Sequence, residues 1–179
     1  MLETQPYVRV IALDFSKAFD SVRHCKLVDK MSLLDMPDSI LNWIIDFLSE
    51  RTHRTTFNGE TSSPASISAS VIQGSVIGPP AYLITASDLR PEVPGNEMFK
   101  FADDSYLIVP GANSSTCESE LEHINRWSSE NNLQLNRKKS TEIIFYGKNS
   151  RVMVPMLPDI PRVRSMRILG VVVNDDLNS

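Results

Sequence analysis

Two adjacent carboxylates, Asp103 and Asp104, lie between two apolar runs in the second half of the chain. Residues 98–102 form the first run and residues 106–109 form the second. This pattern predicts a strand, a tight turn and a second strand, with the acids at or beside the turn. Two neighbouring negative charges are stabilised by a cation, and carboxylate oxygens are the ligands that Mg²⁺ prefers. Because Asp-Asp pairs are also common in surface turns, the pair alone leaves both interpretations open.

A second acidic position changes that balance. The β-branched-rich run over residues 8–13 ends at Asp14, which places this carboxylate at the end of a strand, where a sheet meets solvent. A two-metal phosphoryl-transfer site needs carboxylates from separate elements, because the ions share some ligands and keep others. We therefore expect Asp14 to converge with Asp103 and Asp104, although 89 residues separate Asp14 from Asp103. The alternative is an aspartate that only ends a strand.

Five segments resemble, in order, the palm motifs of reverse transcriptases, specifically those of non-LTR (LINE-type, jockey-like) retrotransposons. The segments are residues 13–22, 71–79, 101–104, 135–140 with 143–145, and 168–171. The third is the aromatic-x-Asp-Asp box, and the fifth resembles the primer-grip strand. Any one of these motifs is a weak signal, but the ordered set covers nearly the whole chain and is specific.

The resemblance implies an α+β fold, the reverse-transcriptase palm, in which helices pack on one face of an antiparallel sheet. We expect residues 1–179 to form a single reverse transcriptase domain. By the resemblance, we expect this domain to be truncated to the palm core, with the N-terminal part of the fingers and the thumb missing. For that reason we expect the isolated chain to be a weak or inactive polymerase.

Local patterns predict the individual elements. Apolar residues at helical spacing indicate helices over residues 26–34 and 38–48, and Asn58-Gly59 is typical of a hairpin turn. Further helices are expected over residues 78–89 and 115–127, the second opened by a capping box of Ser115 and Glu118. Strands are expected over residues 140–146 and 164–173.

The resemblance assigns the catalytic chemistry to carboxylates and a lysine. It implies two Mg²⁺ ions, with Mn²⁺ as a possible substitute, bound first by Asp14 and Asp103. Asp104 then acts as a weaker ligand or through its charge, and the backbone carbonyl of Phe15 is an additional ligand. Either Lys138 or Lys139 would protonate the leaving pyrophosphate, and the sequence does not choose between them. Solvated surface is the alternative for a lysine at these positions.

Four residues are implied to bind substrate. Phe19 matches the steric-gate position, where an aromatic ring clashes with a 2′-hydroxyl and so favours deoxynucleotides. The alternative for Phe19 is ordinary core packing. Gln73 and Gly74 would contact the nascent base pair, although Gln-Gly is also a common loop pair. Phe101 stands where tyrosine is commoner in the family and keeps the ring.

The charge of the chain is acidic overall but uneven. Eighteen basic residues against 22 acidic ones give a net charge of −4, which disfavours a free-standing nucleic-acid-binding module. Basic residues nevertheless cluster between residues 136 and 167, where they could follow a phosphate backbone or simply form a solvated surface. From this cluster and the primer-grip motif we assign four residues to nucleic-acid binding: Arg162, Arg164, Arg167 and Gly170.

These patterns predict an RNA-directed DNA polymerase that transfers a nucleotide from a dNTP to a primer 3′-hydroxyl on an RNA template. The expected partners are the RNA template, the DNA primer, the dNTP and the missing polyprotein segments, and the oligomeric state is left open. The alternative is a catalytically inactive or domesticated remnant that binds nucleic acid or protein. The absence of a signal peptide or membrane span predicts an intracellular protein, in the nucleus or the cytoplasm.

Overall fold

The computed structural model describes residues 1–71, 75–147, 150 and 152–177. The chain forms two compact units, which we call the sheet unit and the helical unit. The sheet unit consists of Met1–Ser16, Leu89–Glu130 and Gln134–Ser179. The helical unit consists of Lys17–Asp88 and Asn131–Leu133.

The sheet unit is built on a four-stranded sheet in which every neighbouring pair of strands is antiparallel. Its strands, in chain order, are β1 (Tyr7–Leu13), β7 (Glu97–Phe101), β8 (Asp104–Pro110) and β10 (Thr141–Tyr146), and their spatial order is β10-β1-β8-β7. The central position of β1 explains why its sequence is apolar almost throughout, since both of its faces are covered. The antiparallel sheet with accompanying helices confirms the predicted α+β palm.

One face of this sheet, here the hairpin face, packs against a separate β-hairpin. Val10, Tyr106 and Ile143 lie on this face and form a buried cluster with Met166. Met166 belongs to strand β11 (Ser165–Ile168), which pairs with β12 (Val171–Asn174).

The single strand predicted over residues 164–173 is therefore wrong. Leu169 and Gly170 both have positive φ, 47° and 86°, and they turn the chain back on itself between β11 and β12. Gly170 adopts this conformation without a steric penalty, whereas Leu169 is strained by it.

The opposite face, here the helix face, carries a long helix and a buried ion pair. Helix α5 (Cys117–Glu130) follows a 3₁₀ helix (Gly111–Thr116), so the helix predicted over residues 115–127 is confirmed but starts later. Burial raises the pKa of the Cys117 thiol, while the nearby charges of Arg9 and Glu142 lower and raise it respectively. Arg9 and Glu142 lie on the helix face, and Cys117, the first residue of α5, is buried. The predicted capping box is wrong, because the Glu118 carboxylate binds Arg137 instead.

The Glu118–Arg137 pair predicts a change in stability at acid pH. Arg137 donates hydrogen bonds of 2.6 and 2.9 Å to the carboxylate, which lowers the pKa of Glu118 from its usual 4.5. Because the folded pKa is below the unfolded one, this stabilisation is present above about pH 4.5 and is lost as the pH falls through the folded pKa. We expect Glu118→Gln to lower the free energy of unfolding by up to about 1 kcal/mol at pH 7.

Urea unfolding of the parent chain and of Glu118→Gln between pH 3 and 7 measures this effect. The difference between the two chains should shrink as the pH falls. A difference that is the same at every pH would contradict the assignment.

The helical unit contains four helices among its described residues: α1 (Ala18–Ser21), α2 (His24–Met31), α3 (Asp38–Leu48) and α4 (Gly78–Thr85). Helix α4 has prolines in its first turn, as predicted, but ends at Thr85 instead of residue 89. Short strands lie between α3 and α4: β3 (Thr52–His53), β4 (Thr56–Phe57), β5 (Glu60–Thr61) and β6 (Ala65–Ser66). Asn58 and Gly59 form the predicted turn between β4 and β5, both with positive φ. In the described part of the chain, none of the helices combines the length and the apolar character needed to cross a bilayer.

Candidate active site

The strand register brings Asp14 and Asp104 together. The last pair between β1 and β8 is Leu13 with Ser105, and the next step of the same register sets Asp14 against Asp104. Directly opposed residues of an antiparallel pair lie on one face of the sheet, about 4.5–5.5 Å apart. Asp14 is half-buried and Asp104 is exposed, so this pair of carboxylates opens to solvent at the edge of the hairpin face.

Asp103 lies one residue further along, in the turn itself. Phe101 pairs with Asp104, which leaves Ala102 and Asp103 as the two turn residues of the β7-β8 hairpin. Ala102 has a φ of 51°, a conformation that is uncommon for a residue with a side chain. Such outliers concentrate at functional sites, and here the outlier immediately precedes Asp103. The predicted hairpin with acids at its tip is confirmed.

The backbone of Asp14 is fixed by a turn that is distant in sequence. Its N–H donates to Ser140 Oγ at 3.1 Å, and its carbonyl accepts from the Asn136 N–H at 2.8 Å. The Ser140 hydroxyl in turn donates to the Asn136 carbonyl at 2.8 Å. Asn136 and Ser140 therefore position the first carboxylate. Sequence reasoning included both residues in a motif but gave neither a role. The one available signal was Asn136 itself, because asparagine is a common turn residue.

The Phe15 carbonyl points away from the strand that pairs with it. Phe15 and Ser16 form β2, which pairs with β9 (Gln134–Leu135). The Asp14 carbonyl accepts a hydrogen bond from the Asn136 N–H. Because hydrogen-bonded residues alternate along an antiparallel pair, Asp14 and Ser16 are the hydrogen-bonded positions and Phe15 is not. The carbonyl of Phe15 is consequently directed away from β9 and can act as a ligand.

The donor set suits a hard divalent cation, although the described side chains do not converge fully. Two opposed carboxylates with a backbone carbonyl nearby are the oxygen ligands that Mg²⁺ selects. Among the described residues, no three His, Cys, Asp or Glu side chains are grouped closely enough to hold one ion. Continued by one step, the β1–β8 register sets the backbone of Asp14 against that of Asp104, but the side chains of Asp14, Asp103 and Asp104 do not form such a group.

Tyr106 is a neighbour of the site that the sequence did not reveal. Burial raises the pKa of its hydroxyl, and the negative charge of Asp104 raises it further. The only sequence signal for this arrangement is the period of two along β8, which puts Tyr106 on the same face as Asp104.

Lys138 and Lys139 follow Asn136 and are both exposed. Lys138 lines an open cleft of about 380 Å³ together with Ser16 and Asn136, and Asp159 borders the same cleft. The backbone N–H of Lys139 donates to the side chain of Asn136 at 3.2 Å. Of the two lysines, Lys138 is thus the one that shares a cleft with the end of β2.

The implied substrate residues have different surroundings. Within the helical unit, the Phe19 ring is half-buried and lies 5.1 Å from the Tyr82 ring, with an angle of 34° between the planes. Phe101 is 64% exposed and is paired with Asp104, so its ring is free to contact a ligand on the hairpin face. Gln73 and Gly74 lie outside the described residues.

The four residues assigned to nucleic-acid binding also differ. The Arg162 guanidinium donates to Glu142 at 2.8 Å and to the carbonyls of Val154 and Pro155, which favours a structural role for this residue. Arg164 and Arg167 are exposed at and beside β11, and Gly170 is in the exposed turn.

Comparisons with known proteins agree with this geometry. The family model described as "Reverse transcriptase (RNA-dependent DNA polymerase)" matches residues 1–173. A polymerase palm with an acidic hairpin is thus the class that the fold and the site define. The chain belongs to the reverse transcriptase (RNA-dependent DNA polymerase) family. Members of this family use divalent metal ions.

Two curated relatives come from mobile elements of Drosophila melanogaster. The RNA-directed DNA polymerase from mobile element jockey is 30% identical over 155 residues, which are 80% of this chain and 17% of the relative. The probable RNA-directed DNA polymerase from transposon X-element is 27% identical over 187 residues, 96% of this chain and 20% of the relative. The chain therefore spans about a fifth of the length of these relatives. The resemblance to non-LTR, jockey-like reverse transcriptases is confirmed.

Solved structures support the fold. Telomerase from Candida tropicalis, in complex with a fragment of telomeric RNA, superposes with a TM-score of 0.70 at 12% identity, covering 98% of this chain and 30% of that one. The apo telomerase truncated from its C-terminal domain gives 0.63 at 14% identity, covering 98% and 35%. At this identity the likeness concerns the fold alone.

Proposed function

We propose that this chain is the catalytic palm of an RNA-directed DNA polymerase, which joins a dNTP to a primer 3′-hydroxyl on an RNA template. The observation that carries the proposal is the placement of Asp14 against Asp104, with Asp103 in the adjoining turn. Family membership adds the reaction class, and the mobile-element relatives suggest a retrotransposon as the source.

The carboxylates of Asp14, Asp103 and Asp104 and the carbonyl of Phe15 would hold two Mg²⁺ ions, for which Mn²⁺ can substitute. When bound, the ions lower the pKa of the primer hydroxyl and neutralise charge on the triphosphate. The chain supplies the positioning, because Asn136 and Ser140 fix the backbone of Asp14. Asp103 is exposed in its turn, and its side chain would have to rotate toward Asp14 and Asp104 to complete the ligand set.

A lysine of the turn after β9 would protonate the pyrophosphate as it leaves. We propose Lys138 for this role, because it lines the same cleft as Ser16, two residues after Asp14, and Lys139 does not. Arginine carries a proton, as lysine does, whereas alanine has none to donate. At high pH we therefore expect incorporation to be slowed less by Lys138→Arg than by Lys138→Ala.

Nucleic acid would be bound through exposed groups. We assign this role to Arg164, Arg167 and the turn at Gly170, which leave their polar groups accessible, and Gln73 and Gly74 keep the role that the resemblance gives them. Arg162 contributes indirectly, by fixing the segment that precedes β11.

A primer-extension assay tests the proposal. The polymerase containing this chain is incubated with a DNA primer on an RNA template, dNTPs and Mg²⁺. Template-dependent extension that disappears on chelation of the metal supports the proposal. Binding of the primer–template without extension would indicate the inactive or domesticated nucleic-acid-binding module instead.

Phe19→Ala is expected to weaken discrimination against ribonucleotides by about tenfold or more, since the aromatic ring is the group that would clash with a 2′-hydroxyl. The incorporation efficiencies of dNTP and rNTP with Phe19→Ala, and with Tyr82→Phe as the matched control, measure this effect. The Tyr82 ring contacts the Phe19 ring, and Tyr82→Phe changes this neighbour while it leaves the Phe19 ring in place. Unchanged sugar discrimination with lowered stability would assign Phe19 to the core of the helical unit.

A further inference from the structure

Helix α3 leaves most of its apolar side chains exposed. Most of its eleven residues are apolar, but only Ile44 and Leu48 are buried. Ile40 and Trp43 are 50% and 57% exposed, and Phe47 is half-buried. These three residues have the i, i+3, i+7 spacing of one helix face, so they form a second apolar stripe, here the α3 stripe. Because a surface helix normally directs a single apolar stripe at the core, the α3 stripe is an exposed patch of the kind that binds a partner.

The aromatic groups of the α3 stripe hold one another in place. The rings of Trp43 and Phe47 are stacked, with 5.7 Å between their centroids and 21° between their planes. The Arg51 guanidinium lies 4.3 Å from the centre of the Phe47 ring and donates a hydrogen bond to the Phe47 carbonyl. A surface whose side chains are already ordered loses less conformational entropy when it binds.

The surroundings of the α3 stripe are acidic. Residues 31–50 contain four carboxylates and no lysine or arginine. All four are exposed: Asp35, Asp38, Asp46 and Glu50. Asp46 lies one helical turn after Trp43 and therefore beside that ring. Such a face repels the phosphates of nucleic acids and anionic lipids, and it repels the same face of a second copy of the chain. Charge complementarity thus favours a positively charged occupant.

The stripe suits a helix better than a strand. The backbone groups within a helix bond to one another, so the face of α3 offers side chains but no free N–H or C=O groups. A strand laid on it would leave its own backbone unpaired, whereas a second helix satisfies its backbone internally and packs its ridges between those of α3.

We propose that the α3 stripe binds a basic amphipathic helix of a partner protein. The apolar side of that helix covers Ile40, Trp43 and Phe47, and its lysines or arginines face Asp46 and the other acids. Eleven residues of helix rise about 16 Å, so about three turns of the partner are needed. The inference goes beyond the proposed function and does not depend on polymerase activity.

Trp43 is a built-in probe for the interaction. The chain has two tryptophans, and the other, Trp127, is only 7% exposed. The partner is represented by a synthetic amphipathic peptide of leucine and lysine, about four helical turns long. When this peptide is added to the 179-residue chain, we expect the tryptophan emission to shift to shorter wavelengths and its quenching by acrylamide to fall. Both changes should be absent in Trp43→Phe, which keeps a ring but removes the fluorophore.

Fluorescence anisotropy of the labelled peptide measures the contribution of each group. Trp43→Ser should weaken binding at least about tenfold, as loss of a central aromatic anchor does. Asp46→Lys, at an exposed position, should weaken it about fivefold and reduce its dependence on salt. Phe57→Ser is the matched control, because Phe57 is an aromatic residue of the helical unit that is 75% exposed but lies in β4. It should leave the affinity unchanged.

Four outcomes would overturn the inference. Equal affinity for a leucine–glutamate peptide of the same length would remove the preference for a basic partner. Displacement of the peptide by a uridine oligonucleotide that quenches Trp43 would make the stripe a stacking platform for nucleic acid. A blue shift that grows with protein concentration, without peptide, would indicate a second copy as the occupant. Finally, protection of Trp43 from acrylamide in the polymerase containing this chain, measured against Trp43→Phe, would assign the stripe to a segment of the same polypeptide.

Discussion

Replacement of Asp103 by asparagine is expected to lower primer extension more than about 100-fold while the chain remains folded. Asparagine keeps the size and the hydrogen-bonding capacity of aspartate but removes the charge that a divalent cation needs. Loss of a group that only orients a metal ligand already costs about 10–100-fold, so loss of a ligand should cost more. Because Asp103 is exposed in a turn, the free energy of unfolding should change by less than about 0.5 kcal/mol.

Single-turnover incorporation of one dNTP, combined with thermal unfolding, measures both expectations. Asp35→Asn serves as the control, since Asp35 is an exposed aspartate outside the site. Asp14→Asn and Asp104→Asn belong in the same series, because the register opposes these two residues directly. If Asp104→Asn abolishes incorporation and Asp103→Asn does not, Asp104 and not Asp103 is the required metal ligand.

Local signals in the sequence were sufficient to predict the acidic hairpin and the strand that faces it. The two short apolar runs around Asp103 and Asp104 have the length and composition of strands, and the acidic pair between them favours a turn. Likewise, Asn58-Gly59 determines its own turn through backbone conformation alone. Such features depend on a few neighbouring residues, which is why they are readable without the fold.

The partners of charged residues could not be predicted in this way. Arg162 was counted with the basic cluster, yet its charge is neutralised by Glu142, and Glu118 pairs with Arg137, 19 residues away, and not with Ser115. A net charge counts cations but does not show which of them have buried carboxylate partners. Tertiary contacts determine these partners, and at Glu118 the contact with Arg137 replaces the predicted helix cap.

The hairpin after residue 164 was missed for a related reason. Residues 165–174 are rich in residues that favour strands, so the whole segment resembles one strand. The turn that interrupts it contains Leu169 at φ 47°, a residue that gives no turn signal. Packing of Met166 against the sheet stabilises a conformation that the local sequence disfavours. Asn136 and Ser140 were likewise missed as positioning groups, because their hydrogen bonds join residues more than 120 positions apart.

Glu142→Gln is expected to lower the free energy of unfolding by about 3–5 kcal/mol, the usual cost of removing one partner from a buried ion pair. The Glu142 side chain is 0% exposed and lies between two guanidinium groups, Arg9 at 2.6 Å and Arg162 at 2.8 Å. Arg9 is also buried, with a side-chain exposure of 2%, and its Nε has no hydrogen-bond partner among the residues that the structure describes. Glutamine would therefore leave two neighbouring cations without a counter-charge, one of them inaccessible to water.

Urea unfolding of Glu142→Gln at pH 7, beside Glu118→Gln, tests this expectation with a control of identical chemistry. Glu118 also pairs with an arginine at 2.6 Å, but its side chain is 46% exposed, so its replacement should cost at most about 1 kcal/mol. Simultaneous replacement of Arg9, Glu142 and Arg162 by Met, Leu and Met should recover most of the loss, because an apolar set of similar volume leaves no charge unpaired. If the two glutamine variants lower the free energy of unfolding equally, solvent reaches Glu142, and the interior of this palm tolerates an arginine without a counter-charge.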